Sequence, residues 1–516
     1  MRLARALRGG ALAAGLVLVA PAAASATDGV ALAHAYRERH AARILREYAD
    51  LLRLPNVAAN LADVRRVAET LRDRLAAHGA AAEFLELDGA PPVVFGRLDA
   101  PGATRTLALY VHYDGQPADP AQWRTPPFEP VLLTAAREAG GVARPLPADG
   151  EPVDPEWRLY ARSASDDKAP LGALFPALAA LAEAGIAPTS NLVFFFEGEE
   201  EAGSPHLGES LDRYRDRIAD VDTWLFLDGP VHASGRPQIA FGVRGVTGLE
   251  LTVYGPARPL HSGHYGNWAP VPGRLLAELL ASMYDPDGRV AVAGFYDDVA
   301  PLGAAERAAL AVLPTNDQAL RHELGLAETE GGGAPLAERL LLPALTIQGL
   351  ASANVGTLAQ NVIPATASAN LGIRLVQGND PAKMQDLVEA HIRSRGFHIV
   401  RDEPDLATRR AHAKLVRVAR ATGYPAARTA MDLPIATRIA AAARAAGAAS
   451  GLGEPVLLPG MGGSLPLYLF SERLGQPCLI VPVANHDNNQ HAPNENLRLA
   501  NLWYAIDLYG ALLTMP

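Results

Sequence analysis

The sequence predicts an α/β fold: a layered catalytic domain with a mixed central sheet flanked by helices, interrupted by an inserted ferredoxin-like α+β domain. Three observations carry this expectation. Short apolar runs stop abruptly at acids. Thr106 to Tyr113 (TLALYVHY) ends at Asp114, Asn191 to Phe196 (NLVFFF) at Glu197, and Thr223 to Leu227 (TWLFL) at Asp228. Such runs, bounded by polar residues, are the sequence form of strands covered on both faces. Helical spacing of Leu, Val and Ala alternates with them at Ala31 to Leu54, Leu61 to His78 and Ala169 to Gly185, the alternation of a layered α/β domain. Past Arg244 the order becomes β-α-β-β-α-β, a split ferredoxin-like unit.

The first two helices are followed by strand candidates at Ala82 to Leu87 and Pro92 to Leu98, then by the three apolar strands. In the split unit the strands are Gly248 to Gly255, Ala344 to Leu350, Ala367 to Val376 and a closing His398 to Arg401. Its helices are Pro270 to Met283 and Pro381 to Arg395. Asp285 to Pro343 shows no assignable pattern. From about Ala411 Ala- and Arg-rich stretches read as helical, and Pro477 to Val483 is a last apolar strand. The length of 516 residues exceeds what one core usually supports. The expected divisions are 1–26 as a leader, 27–243 and 409–516 as two parts of the catalytic domain, and 244–408 as the insert.

Arg2, Arg5 and Arg8, the apolar Ala11 to Ala20 and the cleavage-like Ala24-Ser25-Ala26 form the pattern of a secretory signal peptide. Pro21 and the shortness of the run disfavour a membrane span. The expectation is an exported protein, periplasmic or secreted, with no membrane attachment after cleavage. Removing the three arginines takes the net charge from −10 to −13. That charge, without a long basic run, argues against nucleic acid as a partner. Cys478 is the only cysteine, so no intrachain disulfide and no thiolate metal site can form. Any metal must be held by His, Asp and Glu, which suits zinc, manganese or cobalt.

The candidate site residues recur at the same ends of successive strands, where open α/β sheets bind ligands. His112 and Asp114 project to one face of their strand, so a His ligand and a carboxylate that orients it can arrive together. Asp166 and Asp167 stand just before a helix, where acids can also cap. Glu197, Glu199, Glu200 and Glu201 crowd one turn with no Lys or Arg beside them. Asp228 suits a turn with Gly229 and Pro230 as well as a ligand role, and His491 shares its loop with the competing His486. Together these residues are a two-metal inventory. A pair of divalent ions can share a carboxylate and activate a water, with one free carboxylate as proton shuttle.

The motifs HYDGQP, SASDDKAP, EGEEEAGS, HSGHYGN and HAPNEN, in that order, resemble those of the dinuclear zinc aminopeptidase and carboxypeptidase clan. The resemblance is strongest to carnosinase-like dipeptidases, beside glutamate carboxypeptidase and the aminoacylases. It implies His112, Asp166, Glu201, Asp228 and His491 as metal ligands, with Asp166 shared by both ions and followed by a cis peptide bond. It implies Asp114 as the partner of His112 and Glu200 as the catalytic base, leaving Glu197 and Glu199 to support the loop. It further implies an insert that serves as lid and dimerisation domain of a homodimer. There His261 would stabilise the oxyanion in the partner's site and Arg374 would bind a substrate carboxylate, while Gly463 and Ser464, in the second part of the catalytic domain, would form a substrate-binding loop. Ala161-Arg162-Ser163, Ala169 and Ala492 depart from the family pattern, and Thr134 to Glu156 reads as an added loop near the site.

The resulting expectation is an exported dizinc metallopeptidase acting on dipeptides or similar small substrates with a free carboxylate, with manganese or cobalt as alternative metals. The nearest alternative is an N-acyl-amino-acid amidohydrolase using the same metals. An alternative of another class is a non-catalytic dimeric binding protein, against which the complete ligand set argues. A phosphate-handling two-metal enzyme lacks a Gly-rich phosphate loop.

Overall fold

The computed structural model describes residues 25–314 and 316–516. The expected leader, Met1 to Ala26, lies outside the described residues except at its end. There Ser25 caps the helix Ala26–Leu52 in a reciprocal capping box with Asp28. Among the described residues no helix is long and apolar enough to cross a membrane.

The main sheet has eight strands, in the order Ala81–Leu85, Val93–Leu98, Asn191–Glu197, Thr106–His112, Thr223–Phe226, Cys478–Ile480, Gln238–Ala240 and Val456–Leu458. The four central strands, from Asn191–Glu197 through Cys478–Ile480, run parallel. Their carboxyl ends therefore open on one edge, and His112 stands opposite Glu197 in register. Every residue of Thr106–His112 is buried, which is why the run carries no alternation.

One face of the sheet is covered by Ala26–Leu52, Lys168–Ala184, Pro434–Ala449 and Leu499–Thr514, which share a single apolar core. The first and last of these cross at Gly29 and Gly510, where a Cβ on either would strike the other's backbone. On the opposite face Phe470 packs edge-on against Tyr110, Phe195, Trp224 and Phe226.

A second sheet has five strands, in the order Ala344–Ala351, Thr366–Leu375, Gly245–Tyr254, Leu415–Arg420 and His398–Val400. It has its own core, to which the helices Pro272–Ala281 and Pro381–Ser394 contribute. Two expectations are corrected here. The strand that pairs with Gly245–Tyr254 and closes the unit is Leu415–Arg420; His398–Val400 adds parallel to it at the edge. The boundary expected at 408 thus falls inside this sheet, and the chain past Ala411 is first a strand. Its sequence LVRVAR carries two β-branched valines, both buried, which suit a pleated surface better than a helix. The long segment after Pro272–Ala281 contains the short helices Ala304–Ala311, Asp317–Glu323 and Leu336–Arg339. The chain leaves the main sheet through Gly242–Val243 and returns through Ala427–Arg428, and these two crossings pair with each other. The segment expected as an added loop supplies Ala143–Arg144, which pairs with Val131–Leu133 in a four-stranded sheet. It is tied to the first helix by Arg46, which donates to the carbonyl of Pro147 and to Asp149.

Glu389, on Pro381–Ser394, is buried beneath three arginines. Its carboxylate accepts from Arg393 (2.9 Å), Arg401 (2.8 Å) and Arg420 (2.8 Å). Burial opposes its ionisation, but the hydrogen bonds from Arg420 and Arg401 outweigh burial and bring it down to about 2. A glutamate titrates at about 4.3 when unfolded, so this stabilisation is complete above that pH and is lost as pH falls toward 2. Glu389→Gln is expected to cost about 2 kcal/mol near neutrality. The gap in thermal midpoint between variant and parent should narrow as the pH is lowered through this window; a constant gap would refute the charge-based account.

Candidate metal centre

Five side chains from five segments meet at the carboxyl edge of the parallel strands. His112 ends its strand, Asp166 and Asp228 follow theirs in loops, Glu201 lies in the turn after Asn191–Glu197, and His491 lies in the loop after Cys478–Ile480. They form two groups, His112 with Asp166 and Asp228, and Asp166 with Glu201 and His491; within each group the potential ligand atoms lie within 4.8 Å of one another. Asp166 belongs to both. Its Oδ1 is 2.9 Å from His112 Nε2 and its Oδ2 is 2.9 Å from His491 Nε2, so its two oxygens face two different imidazoles. Asp228 Oδ2 lies 3.9 Å from His112 Nε2, and Glu201 Oε2 lies 3.3 Å from His491 Nε2.

The electrostatics fit two cations. Burial, reinforced by Asp166, pushes Asp228 up to about 7. Burial likewise raises Glu201, with Asp166 adding to it, and raises Glu200 well above the usual range. Two carboxylates about 4 Å apart repel by about 4 kcal/mol at an effective dielectric constant near 20. Several cannot remain ionised together without positive charge. Asp166 is the exception: burial opposes its charge, but hydrogen bonds from His112 and His491 more than compensate and hold it below the ordinary carboxylate range. The nitrogen and oxygen donors of each group suit a divalent ion such as zinc, manganese or cobalt.

Asp114 does more than face His112 Nδ1, which is 3.4 Å from its Oδ1. It accepts the backbone N–H groups of Glu200 (3.1 Å) and Glu201 (3.0 Å). The acidic turn is thus pinned to the end of the neighbouring strand. Glu200 takes no hydrogen bond on its carboxylate among the described residues, while Gln116 donates to Glu201 at 2.7 Å. Glu199 accepts from the backbone and ring of His206 (2.8 and 2.9 Å). Glu197 accepts from Tyr110 at 2.5 Å, and burial pushes it up to about 8 against that bond. These two acids hold the turn from outside the ligand set.

The Asp166–Asp167 peptide bond is cis. Ser163, one of the residues that depart from the motif the sequence resembles, adopts the left-handed φ of 60°, a conformation that favours glycine. Its Oγ accepts from Asn56 Nδ2 at 2.9 Å, and Asn56 also donates to the carbonyl of Tyr113 at 2.8 Å. Lys168 is fully buried, donates to the carbonyls of Leu51 (3.1 Å) and Leu54 (2.7 Å), and is driven by burial down to about 7. Glu495 accepts four hydrogen bonds from residues 162–166. Burial pushes its carboxyl up to about 7, against the pull of Arg162 and the amides. Nothing in the spacing of Asn56 singles it out, whereas Glu495 stands within the motif HAPNEN.

A Cβ on Gly115 would collide with Ser163 Oγ and press on the Asn56 amide. Gly115→Ala is therefore expected to displace the Ser163 turn and lower kcat/KM about tenfold or more. Steady-state kinetics on a folded variant would check this, and unchanged kinetics would refute it.

The remaining candidates lie apart from this cluster in their described contacts. Arg374 Nη1 donates to Ser464 Oγ at 2.8 Å, and the carbonyl of the adjacent Gly463 accepts from Arg244 N at 3.1 Å. The structure thus brings Arg374, on the second sheet, together with Gly463 and Ser464 in the loop that precedes the helix Leu467–Ser471. His261 is exposed on the two-residue strand Leu260–His261, accepts from Gly263 N at 3.1 Å and packs its ring 4.6 Å from that of His264. Among the described contacts it joins neither group.

Residues 108–515 match the peptidase family M20/M25/M40. A Cys-Gly metallodipeptidase of Schizosaccharomyces pombe is 27% identical over 424 residues, covering 81% of this chain and 81% of that protein. The Beta-Ala-His dipeptidase of Homo sapiens is 27% identical over 434 residues, covering 82% of this chain and 76% of that protein. An M20 family metallo-carboxypeptidase from Sulfolobus solfataricus shares the fold with a TM-score of 0.72 at 26% identity, over 92% of this chain and 98% of that one. The chain belongs to peptidase family M20/M25/M40 and is a metal-dependent hydrolase.

Proposed function

We propose that this chain hydrolyses the amide bond of dipeptides, or of similarly small substrates with a free carboxylate, using two divalent ions, zinc foremost. The observation that carries the reading is Asp166, whose two oxygens face His112 and His491 at equal distance. The dipeptidase names of the relatives support the substrate class. Bound divalent ions supply Lewis acidity and lower the pKa of water. Glu200, whose carboxylate accepts no hydrogen bond among the described residues, takes the proton of the attacking water and passes it to the leaving amine. Asp114 holds Glu200 in place through its backbone N–H. The guanidinium of Arg374 binds the substrate carboxylate, a role its planar fork suits, with Ser464 and Gly463 beside it.

His261 serves as an oxyanion donor to a partner subunit's site in a homodimer. The exposed Ile347 and Leu350, on the edge strand Ala344–Ala351, and the exposed Leu358 and Trp268 support an interface on the second sheet. A fully active monomer in sedimentation would count against it. Export rests on the amino-terminal pattern; sequencing the amino terminus of the cell-derived protein tests it. Cleavage after Ala26 would remove the Ser25 cap.

The deciding experiment loads the metal-free protein with zinc, manganese or cobalt and assays a panel. Cys-Gly, β-Ala-His and other dipeptides should be cleaved in preference to N-acetyl amino acids. Preference for the latter would move the reading to an N-acyl amidohydrolase, and cleavage of neither would defeat it.

A further inference from the structure

We propose that Glu495 is a positioning residue for the metal centre: its carboxylate fixes the turn from Arg162 to Asp166 against the loop that carries His491. It thereby sets how the shared carboxylate approaches both histidines. The proposal rests on the functional reading above for its catalytic consequence, though not for its geometry.

Glu495 is completely buried. Its Oε1 accepts the N–H of Ser165 (2.8 Å) and of Asp166 itself (3.0 Å). Its Oε2 accepts the N–H of Ser163 (3.0 Å) and Nη1 of Arg162 (2.8 Å). Its backbone carbonyl accepts from Ala161 N at 3.2 Å, and Ser165 Oγ donates to the next carbonyl, that of Asn496, at 2.6 Å. Asn496–Arg498 then pairs antiparallel with Arg158–Tyr160. The turn bearing Asp166 is therefore closed onto the segment that follows His491 in the chain. From the helix that follows, Lys168 N donates to the carbonyl of Ser163 at 3.2 Å, while Asp167 at the N-cap makes no side-chain capping bond, so the N–H groups of the turn are left to Glu495. Since Asp166 reaches one imidazole with each oxygen, a shift of its backbone would lengthen at least one of those approaches.

Four donors converge on two oxygens, so the site demands an acceptor on both sides. A glutamine cannot satisfy it in either orientation. Its NH2 group would face the N–H groups of Ser165 and Asp166, or else those of Ser163 and Arg162. Outer partners that orient ligands typically govern metal affinity and activity by about 10- to 100-fold.

The test compares the full-length parent with Glu495→Gln and Glu495→Asp, each freed of metal and titrated with zinc against a competing chromophoric chelator well below its unfolding temperature. Glu495→Gln should bind zinc about 10- to 100-fold more weakly. On a cleaved dipeptide its kcat should fall at saturating zinc while KM stays within about threefold. Glu495→Asp keeps both acceptor oxygens but is one methylene short, and should lose less of each. A role confined to folding predicts a lower thermal midpoint with parental zinc affinity and kcat, and that result would overturn the proposal. Should Glu495→Gln fail to fold, parental zinc affinity in Glu495→Asp would overturn it equally. A parent that binds zinc but cleaves no substrate on the panel defeats the functional reading alone, because the zinc titrations still decide the placement of Glu495.

Discussion

Glu200→Gln is expected to lower kcat by about 10³-fold while the protein still binds its metal ions with parental affinity. The prediction follows from where Glu200 stands. Its backbone is held by Asp114 at 3.1 Å and its neighbour Glu201 reaches His491, yet Glu200 belongs to neither group of potential ligands. An amide in its place keeps the shape and removes the capacity to accept and return a proton. A role for Glu200 in folding would give a different signature, a lower thermal midpoint with kcat intact. Single-turnover kinetics beside metal analysis by mass spectrometry would separate the two, and a variant with parental kcat would remove Glu200 from the mechanism.

Asp166→Ala is expected to have the broader effect, because Asp166 is the one residue common to both groups. Its loss takes a ligand from each, so bound metal should fall from two ions toward none and activity should become undetectable. The metal-dependent rise in thermal midpoint should vanish with it, since an ion that binds only the folded chain stabilises it by an amount set by its concentration relative to Kd. Asp228→Ala should by contrast spare the group of Asp166, Glu201 and His491. If Asp166→Ala retained two ions at parental affinity, the shared-ligand arrangement would be wrong.

The ligand-bearing strands were legible because a fully buried parallel strand leaves a plain trace, an apolar run that ends at charge. Thr106–His112 and Asn191–Glu197 both carry it. Leu415–Arg420 was not legible. Its arginines stand three apart, a spacing that also suits a helix, beside Ala-rich helical sequence, and its pairing with Gly245–Tyr254 and His398–Val400 makes it a strand. Asp285 to Pro343 stayed opaque because its helices are short and joined by glycine- and proline-bearing stretches, leaving no period to read. At the site, residue types could nominate ligands but not the groups that restrain them. Asn56 precedes Ser163 by more than a hundred residues, and no spacing rule joins an asparagine to a turn it meets only in the folded chain. Arg374, on the second sheet, and the loop residue Ser464 likewise meet only in the folded chain, a contact that a linear motif cannot encode.

The strand Cys478–Ile480 lies between Thr223–Phe226 and Gln238–Ala240 in the main sheet, although it is made long after both. His491 follows it, as does the helix Leu499–Thr514 that fills the middle of the helical layer. During synthesis the five-stranded unit can fold while the main sheet still lacks an internal strand. The group of Asp166, Glu201 and His491 is complete only after that gap closes. On the proposed two-ion reading, completion of the pair is thus a late step of folding, and chains truncated before Pro477, which keep His112, Asp166 and Asp228 but lack His491, should hold no ion pair, whereas the full chain should.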